Sequence, residues 1–144
     1  MGLNLHSTFA VATNGLPLGV LKSQCIAPKA KAADDKRKPS EIPIEEKKTF
    51  VWIEHHRDLV ELAKEMPQTQ LINVCDREAD FFELFDEQRK NPCVDLLIRA
   101  QHNRTLKEEP FKLFEAVRQT SELSRVRVVI PSQSARPKKS KQKK

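Results

Sequence analysis

The stretch LINVCDREADFFELF, residues 71–85, decides the fold. Its first five residues are almost wholly apolar, which is typical of a strand buried on both faces of a sheet. Asp76 follows directly, and residues 77–90 then predict a helix with its phenylalanines on one side. A strand that leads straight into a helix is the repeating unit of α/β folds with parallel strands.

Further elements are predicted on both sides of this stretch. Residues 3–25 alternate apolar and polar side chains around Asn14-Gly15, which predicts an antiparallel hairpin closed by two residues with positive φ. A helical pattern follows and ends at Pro67. The downstream elements are an apolar strand at 93–98, a short helix after Pro110 and a last strand at 126–130. This order predicts an α/β fold with a mixed sheet and flanking helices.

Charge is distributed unevenly along the 144 residues, whose formal net charge is +6. Residues 125–144 hold eight of the 26 Lys and Arg residues and no acid, so the remainder is close to neutral. A lysine-rich tail attracts polyanions, nucleic acid above all. It is equally typical of a solvated chain end, and charge alone does not decide between these interpretations.

Composition excludes several classes of protein. Hydrophobic residues make up 38% of the chain, enough for the core of one domain, and no apolar run approaches the roughly 20 residues of a membrane span. The first residues contain no basic region followed by an apolar run, so we expect no secretion by a signal peptide. The three cysteines form no CxxC pair, which argues against a disulfide framework or a cysteine zinc site. We therefore expect a soluble, reduced, cytoplasmic protein with no membrane partner.

Three histidines and one cysteine are predicted to have structural roles and not to bind a metal. His55 and His56 are consecutive on a predicted helix and so diverge by about 100°, which disfavours a shared metal. Both are predicted to be at the surface or half-buried, and His6 is predicted to face the polar side of its strand. Cys75 is expected to pack in the core.

Among the candidate functional residues, Asp76 has the widest range of possible roles. It stands at the carboxyl end of a predicted strand, the edge at which open α/β sheets bind ligands. A carboxylate there suits a hard divalent cation such as Mg²⁺. Asp is also a favoured N-cap, and acids in the first turn, here Glu78 and Asp80, complement the helix dipole. Spacing alone favours the capping role.

The segment NVCDREADFFELF resembles the region around the second catalytic aspartate of DDE transposases of the bacterial insertion-sequence, transposon-five-like group. The segments GLNLHSTFAV, GLPLGVL and IEEKKTFVWIE precede it in the order that those enzymes use, and LLIRAQHNR and RVRVVIP follow. The resemblance covers essentially the whole chain. It implies a ribonuclease-H-like catalytic core over residues 1–124 and the start of a β-rich insertion with a basic tail over residues 125–144.

In that family two Asp and one Glu bind two divalent metals, Mg²⁺ or Mn²⁺, which clamp the attacking and leaving oxygens of a phosphodiester. The resemblance implies Asp76 as catalytic and metal-binding. The first catalytic Asp would lie on a strand before this sequence, and the Glu on a helix after it. The missing strand would lie between the first hairpin strand and the Asp76 strand, leaving a gap with unpaired edges. We therefore expect a transposase fragment that is inactive alone.

The resemblance also implies a DNA-binding surface. Arg99 matches an arginine that contacts transposon-end DNA, and guanidinium suits bidentate phosphate contact. The other expected DNA-binding residues are Gln101, His102, Arg104, Lys138, Lys139 and Lys141. The expected partners are DNA at transposon ends and a second copy or a full-length transposase.

Two alternative functions are weighed against this one. The chain could be a non-catalytic module that binds DNA or inhibits a full-length transposase by pairing with it. A receiver-like signalling domain with Asp76 as phosphoacceptor would also need an Asp at a strand end. That alternative predicts an acidic pair near the chain start, whereas the first 30 residues contain no acid.

Overall fold

The computed structural model describes residues 2–27, 36–107 and 110–127. The chain divides into two units, Met1–Asn103 and Arg104–Lys144. In the first unit the elements are β1 (Asn4–Val11), β2 (Pro17–Ile26), α1 (Phe50–Glu65), β3 (Leu71–Cys75), α2 (Phe82–Lys90) and β4 (Val94–Ile98). Short 3₁₀ turns span Ile44–Glu46 and Arg77–Ala79. The second unit contains α3 (Leu113–Gln119).

The N-terminal hairpin forms as predicted, but its turn differs. β1 pairs with β2 antiparallel, with Asn4 opposite Ile26 and Val11 opposite Pro17. The connection is longer than two residues: the N–H of Gly15 donates to the carbonyl of Ala12 at 2.8 Å. Gly15 has φ of 86°, whereas Asn14 does not have a positive φ. The predicted two-residue turn is therefore wrong, because Asn14 instead accepts a hydrogen bond from the N–H of Leu16 through its side chain.

The strand–helix–strand segment around Asp76 is confirmed. β3 pairs with β4 parallel, from Leu71 opposite Val94 to Cys75 opposite Ile98. The prediction that β3 is buried on both faces is wrong within the described residues, since Ile72 is 52% exposed and Val74 70% exposed. Helices α1 and α2 pack on the other face only, so the apolar run reflects strand composition and not two covered faces.

Both antiparallel and parallel pairing are present, so the chain is an α/β protein. The described strands do not form the expected single mixed sheet. They form two two-stranded sheets, β1–β2 and β3–β4. Helix α1 contacts strands of both: Thr8 on β1 is hydrogen-bonded to His55, and Asn73 on β3 to His56.

Two apolar clusters hold α1, α2 and the parallel strands together. The first contains the buried residues Ile53, Cys75, Ala79 and Leu84. The second contains the buried residues Leu59, Val60, Ala63 and Val94. Burial of Cys75 confirms its predicted role in the core, and desolvation raises the pKa of its thiol to about 11.

The predicted helix over residues 77–90 is interrupted. A 3₁₀ turn over Arg77–Ala79 comes first, and α2 begins only at Phe82. Asp80 lies at the break and is 5% exposed, with its carboxylate accepting backbone hydrogen bonds from a loop after β4. The interruption exists because Asp80 turns inward.

The predictions for the histidines are wrong. His55 is 3% exposed and His56 is fully buried, because α1 lies over two strands and each ring reaches a different one. His6 faces α1 and makes an edge-to-face contact with Trp52 at a centroid distance of 4.4 Å. The rings of His55 and His56 reach different strands, as the predicted divergence of about 100° between consecutive helical residues requires.

In the second unit, the short helix predicted after Pro110 is confirmed as α3. It is preceded by an isolated bridge between Thr105 and Lys112, and the N–H of Leu113 donates to the carbonyl of Arg104 at 2.8 Å. Of the last predicted strand, residues 126 and 127 are irregular and the remainder lies outside the described residues. No helix in the described ranges has the length and apolar character needed to span a membrane.

Candidate functional site

Asp76 lies at the carboxyl end of β3, immediately before the 3₁₀ turn. Its Oδ1 accepts a hydrogen bond from the N–H of Glu78 at 2.8 Å, so Asp76 is an N-cap. The residue is exposed, and within the described part of the chain Oδ2 has no hydrogen-bond partner. The carboxylate is thus fixed by one oxygen and offers the other to solvent.

Arg99 stands beside Asp76 on the neighbouring strand. The last pair of the parallel ladder is Cys75 opposite Ile98, and the N–H of Arg99 donates to the carbonyl of Cys75 at 3.2 Å. Asp76 and Arg99 are therefore the next residues in register at the same sheet edge. Arg99 is exposed, and its side chain forms no ion pair with any described residue. One acid and one guanidinium thus share the carboxyl edge.

The loop after Arg99 is fastened to this edge by Asp80. Oδ2 of Asp80 accepts hydrogen bonds from the N–H of Gln101 at 2.6 Å and from the N–H of His102 at 2.9 Å. The side chains of Gln101 and His102 are exposed. Asp80 therefore positions the backbone of two predicted DNA-binding residues while their side chains remain accessible.

The remaining predicted DNA-binding residues are not brought to this edge by the first unit. Arg104 is half-buried and belongs to the second unit. Lys138, Lys139 and Lys141 lie outside the described residues. The geometry thus assembles Asp76, Arg99, Gln101 and His102, and the other four stay predictions from sequence.

The charge environment of this edge extends to the hairpin. The pKa of His6 is lowered from its ordinary value, chiefly by burial, while the charges of Asp76 and Glu78 act in the opposite direction. Glu78 also pairs with Lys48 at 3.8 Å. His6 on β1 is therefore close enough to the end of β3 to sense its carboxylates.

The fit of these residues to Mg²⁺ or Mn²⁺ is partial. Among residues 2–27, 36–107 and 110–127, no three His, Cys, Asp or Glu side chains converge as a metal site. Mg²⁺ prefers octahedral oxygen coordination, and Asp76 offers one open carboxylate oxygen. The described residues therefore supply a single ligand and not a complete site, and no catalytic step is derived from them.

Sequence reasoning missed two features of this region. The sequence predicts Asp80 as an acid in a first helical turn, whereas in the structure it is buried and holds the loop after β4 through two backbone N–H groups. His6, His55 and Trp52 form a ring cluster, with centroids of His6 and His55 4.5 Å apart. The signal for the cluster was the alternation of β1, which places His6 and Thr8 on one face.

No protein-family model matches the chain, and no curated protein matches it.

Proposed function

We propose that this chain is an internal part of the catalytic domain of a DDE transposase, with a ribonuclease-H-like architecture and a cytoplasmic location. The observation that carries the proposal is the carboxyl edge of β3 and β4, where exposed Asp76 and exposed Arg99 stand next in register. A carboxylate can hold a divalent cation and a guanidinium can hold a phosphate, so this edge offers one contact of each kind to a phosphodiester.

The proposed reaction is metal-assisted phosphodiester hydrolysis and strand transfer at transposon ends. Metal ions supply Lewis-acid stabilisation and an activated nucleophile in such reactions. In this chain Asp76 would hold a cation through Oδ2 while Oδ1 keeps the cap, and Arg99 would hold a DNA phosphate. Among the described residues, Asp76 is the one carboxylate assigned to the metals. The proposed activity therefore requires two more metal-binding carboxylates from outside the described residues.

Arg99 provides the test of the DNA-binding half. Arg99→Ala should weaken binding of the full chain to a 20-base-pair duplex about tenfold, the effect of one charge-assisted hydrogen bond of about 1.5 kcal/mol. It should also reduce the salt slope by about one. Fluorescence anisotropy measures both.

Arg89 is the matched control for this experiment. It is an exposed arginine in the last turn of α2, so Arg89→Ala removes the same charge from the same unit. We expect Arg89→Ala to change the affinity less than twofold. Equal losses in the two variants would mean that Arg99 acts only through net charge, and the proposed phosphate contact would be withdrawn.

A non-catalytic DNA-binding function is the second candidate, and it is favoured because Arg99 is exposed at the sheet edge while the described residues bring no three ligating side chains together around Asp76. Asp76→Asn keeps a side-chain oxygen for the N–H of Glu78 but removes the charge. If Asp76 binds a cation, broadening of the Glu78 amide resonance by added Mn²⁺ should be lost in Asp76→Asn and retained in Glu83→Gln.

The binding itself should be weak, because one carboxylate holds a divalent cation poorly. Titration calorimetry should therefore detect no submicromolar, stoichiometric binding of Mg²⁺ or Mn²⁺. Broadening that survives Asp76→Asn would place the cation elsewhere and leave the non-catalytic function as the better interpretation.

A further inference from the structure

The N-terminal hairpin, β1 and β2, is outside the apolar core of the first unit. Neither the cluster that contains Leu84 nor the cluster that contains Val94 includes a residue of β1 or β2. The buried apolar side chains of the described chain all lie on α1 or beyond it, whereas Leu5, Phe9 and Val20 on the hairpin are each more than half exposed. Other contacts must therefore hold the hairpin against the rest of the unit.

The contacts between β1 and α1 are made by polar and aromatic side chains. Oγ1 of Thr8 on β1 lies 2.6 Å from Nδ1 of His55 on α1. The ring of His6, also on β1, makes edge-to-face contacts with Trp52 and His55 at centroid distances of 4.4 and 4.5 Å. His55 thus takes part in two of the contacts that hold β1 on α1.

The remaining part of this interface is loosely packed. Lys22 on β2 pairs with Asp58, but both side chains are partly exposed, so water screens the pair and its contribution is small. A cavity of about 260 Å³ lies between the hairpin and α1, and Leu21, Leu59 and His55 are among the residues that line it. Atoms beside a cavity lose the dispersion contacts of close packing. The hairpin is therefore attached weakly, with His55, 3% exposed, as the most buried residue of the interface.

His55 fits this interface as a neutral ring and not as a cation. Its Nε2 is buried and has no hydrogen-bond partner among the described residues. Of the titratable groups that act on the ring, His6 on β1 and Lys22 on β2 oppose a positive charge, whereas Asp58 on α1 favours it. The two strands contain no acid, and Asp58 is already paired with Lys22. Burial therefore dominates and lowers the pKa of His55 to about 4.

The next residue, His56, faces different elements. Its Nδ1 is 3.3 Å from the side-chain nitrogen of Asn73 on β3. Glu87 on α2 favours the protonated form of His56, although burial dominates and lowers its pKa. Protonation of His56 would therefore affect the contact of α1 with β3. Of the two adjacent histidines, His55 is the one bonded to the hairpin.

We propose that the hairpin is held on α1 by a proton-dependent contact: neutral His55 keeps the hairpin docked, and uptake of one proton from solvent by His55 releases it. An isolated two-stranded hairpin is at most marginally stable in water, so β1 and β2 lose their pairing when they are released. β3, β4 and α2 stay folded, because the apolar clusters that hold them contain no hairpin residue. This inference does not depend on the proposed transposase function.

The size of the effect follows from the two protonation equilibria of His55. Release exposes the ring to water, where its pKa returns towards the ordinary value of about 6.5. A pKa of about 4 in the docked state then makes release about thirtyfold more favourable at pH 5 than at pH 7.5. Below pH 4 the docked ring is protonated as well, so the effect reaches a plateau.

Hydrogen exchange of the full chain at pH 7.5 and pH 5, corrected for the intrinsic exchange rate, tests this proposal. We expect the protection of the β1 and β2 amides to fall about thirtyfold between these pH values. At pH 5 these amides should also be at least tenfold less protected than those of β3 and β4. This difference distinguishes release of the hairpin from acid unfolding of the whole chain, which would give all four strands the same protection.

Two variants assign the proton to His55. His55→Asn keeps a side-chain amide that can bond to Thr8 but takes up no proton in this pH range, so the pH response of the hairpin should become at least fivefold smaller. His102→Asn is the matched control, because it removes an exposed imidazole from a loop outside the interface. It should leave the thirtyfold response unchanged.

Trp52 gives a second readout, because it is the only tryptophan of the chain and its ring contacts His6 in the docked hairpin. Quenching of its fluorescence by acrylamide should be stronger at pH 5 than at pH 7.5. Equal protection of all four strands at pH 5, or an undiminished response in His55→Asn, would overturn the proposal. If His55→Asn does not fold, the unmodified chain decides: quenching of Trp52 that does not change with pH would overturn the proposal as well.

Discussion

Replacing Asp80 should remove the hydrogen bonds that hold the loop containing Gln101 and His102, and so should destabilise the fold. Asp80 is 5% exposed, and its carboxylate accepts two backbone hydrogen bonds, at 2.6 and 2.9 Å. Hydrogen bonds to a charged group contribute about 1.5–3 kcal/mol each. Because the released N–H groups can reach water, we take the lower value for both and expect Asp80→Ala to reduce the free energy of unfolding by about 3 kcal/mol.

Urea denaturation measures this loss. With a slope of about 1.5 kcal/mol/M, typical of a small protein, the midpoint of Asp80→Ala should fall by about 2 M. Asp80→Asn keeps an acceptor but not the charge, so its midpoint should fall by about half as much. Amide exchange at Gln101 and His102 should accelerate in Asp80→Ala.

Glu83 provides the control for Asp80. It is an exposed acid in the first turn of α2, and Glu83→Ala removes the same charge with an expected loss below about 1 kcal/mol. If Asp80→Ala and Glu83→Ala shift the midpoint equally, the two hydrogen bonds do not stabilise the loop and the reasoning fails.

Three further predictions concern acid, thiols and the tail. Burial lowers the pKa of His55 from 6.5 to about 4, so between these pH values the imidazole is protonated in the unfolded chain but not in the folded one, and the free energy of unfolding should fall as pH falls from 6.5 towards 4. The urea midpoint should fall over the same pH range, and less steeply in His55→Asn. A midpoint that does not change with pH would contradict this prediction. Cys25 and Cys93 are exposed and Cys75 is buried with a pKa raised to about 11, so a thiol reagent at pH 7.5 should modify two cysteines quickly and the third only on unfolding. Deleting residues 132–144, which contain only basic charges, should abolish most of the salt-dependent DNA binding; unchanged affinity in anisotropy would refute a tail-driven interaction.

Elements with a strong local signal could be predicted from the sequence. The apolar run of β3, the helical spacing before Pro67 and the strand after Cys93 each depend on side-chain periodicity within a few residues. The burial of both faces of β3 could not be predicted in the same way. An apolar run shows that a strand has apolar side chains on both faces. Whether each face is buried depends on which helices or strands pack against it.

Residues whose role depends on distant partners were misassigned. Asp80 interrupts the predicted helix because its partners are the backbone groups of residues 101 and 102, some 20 residues further along the chain. His55 and His56 are buried because α1 lies across two strands that are themselves not paired with each other. Local sequence patterns carry no information about these long-range contacts. Helix propensity therefore predicts Asp80 within a helix and the rings of His55 and His56 near the surface.

For Asp76 the sequence poses capping and cation binding as alternatives, and the structure makes them compatible. Both roles require an Asp at the same position, after a strand and before a helical turn. They use different atoms, since Oδ1 accepts from the N–H of Glu78 while Oδ2 is open among the described residues. The cap also restricts the rotamers of the side chain, which lowers the entropy that cation binding must remove. A carboxylate held by one oxygen is therefore a better ligand through the other, and capping is no argument against a metal role.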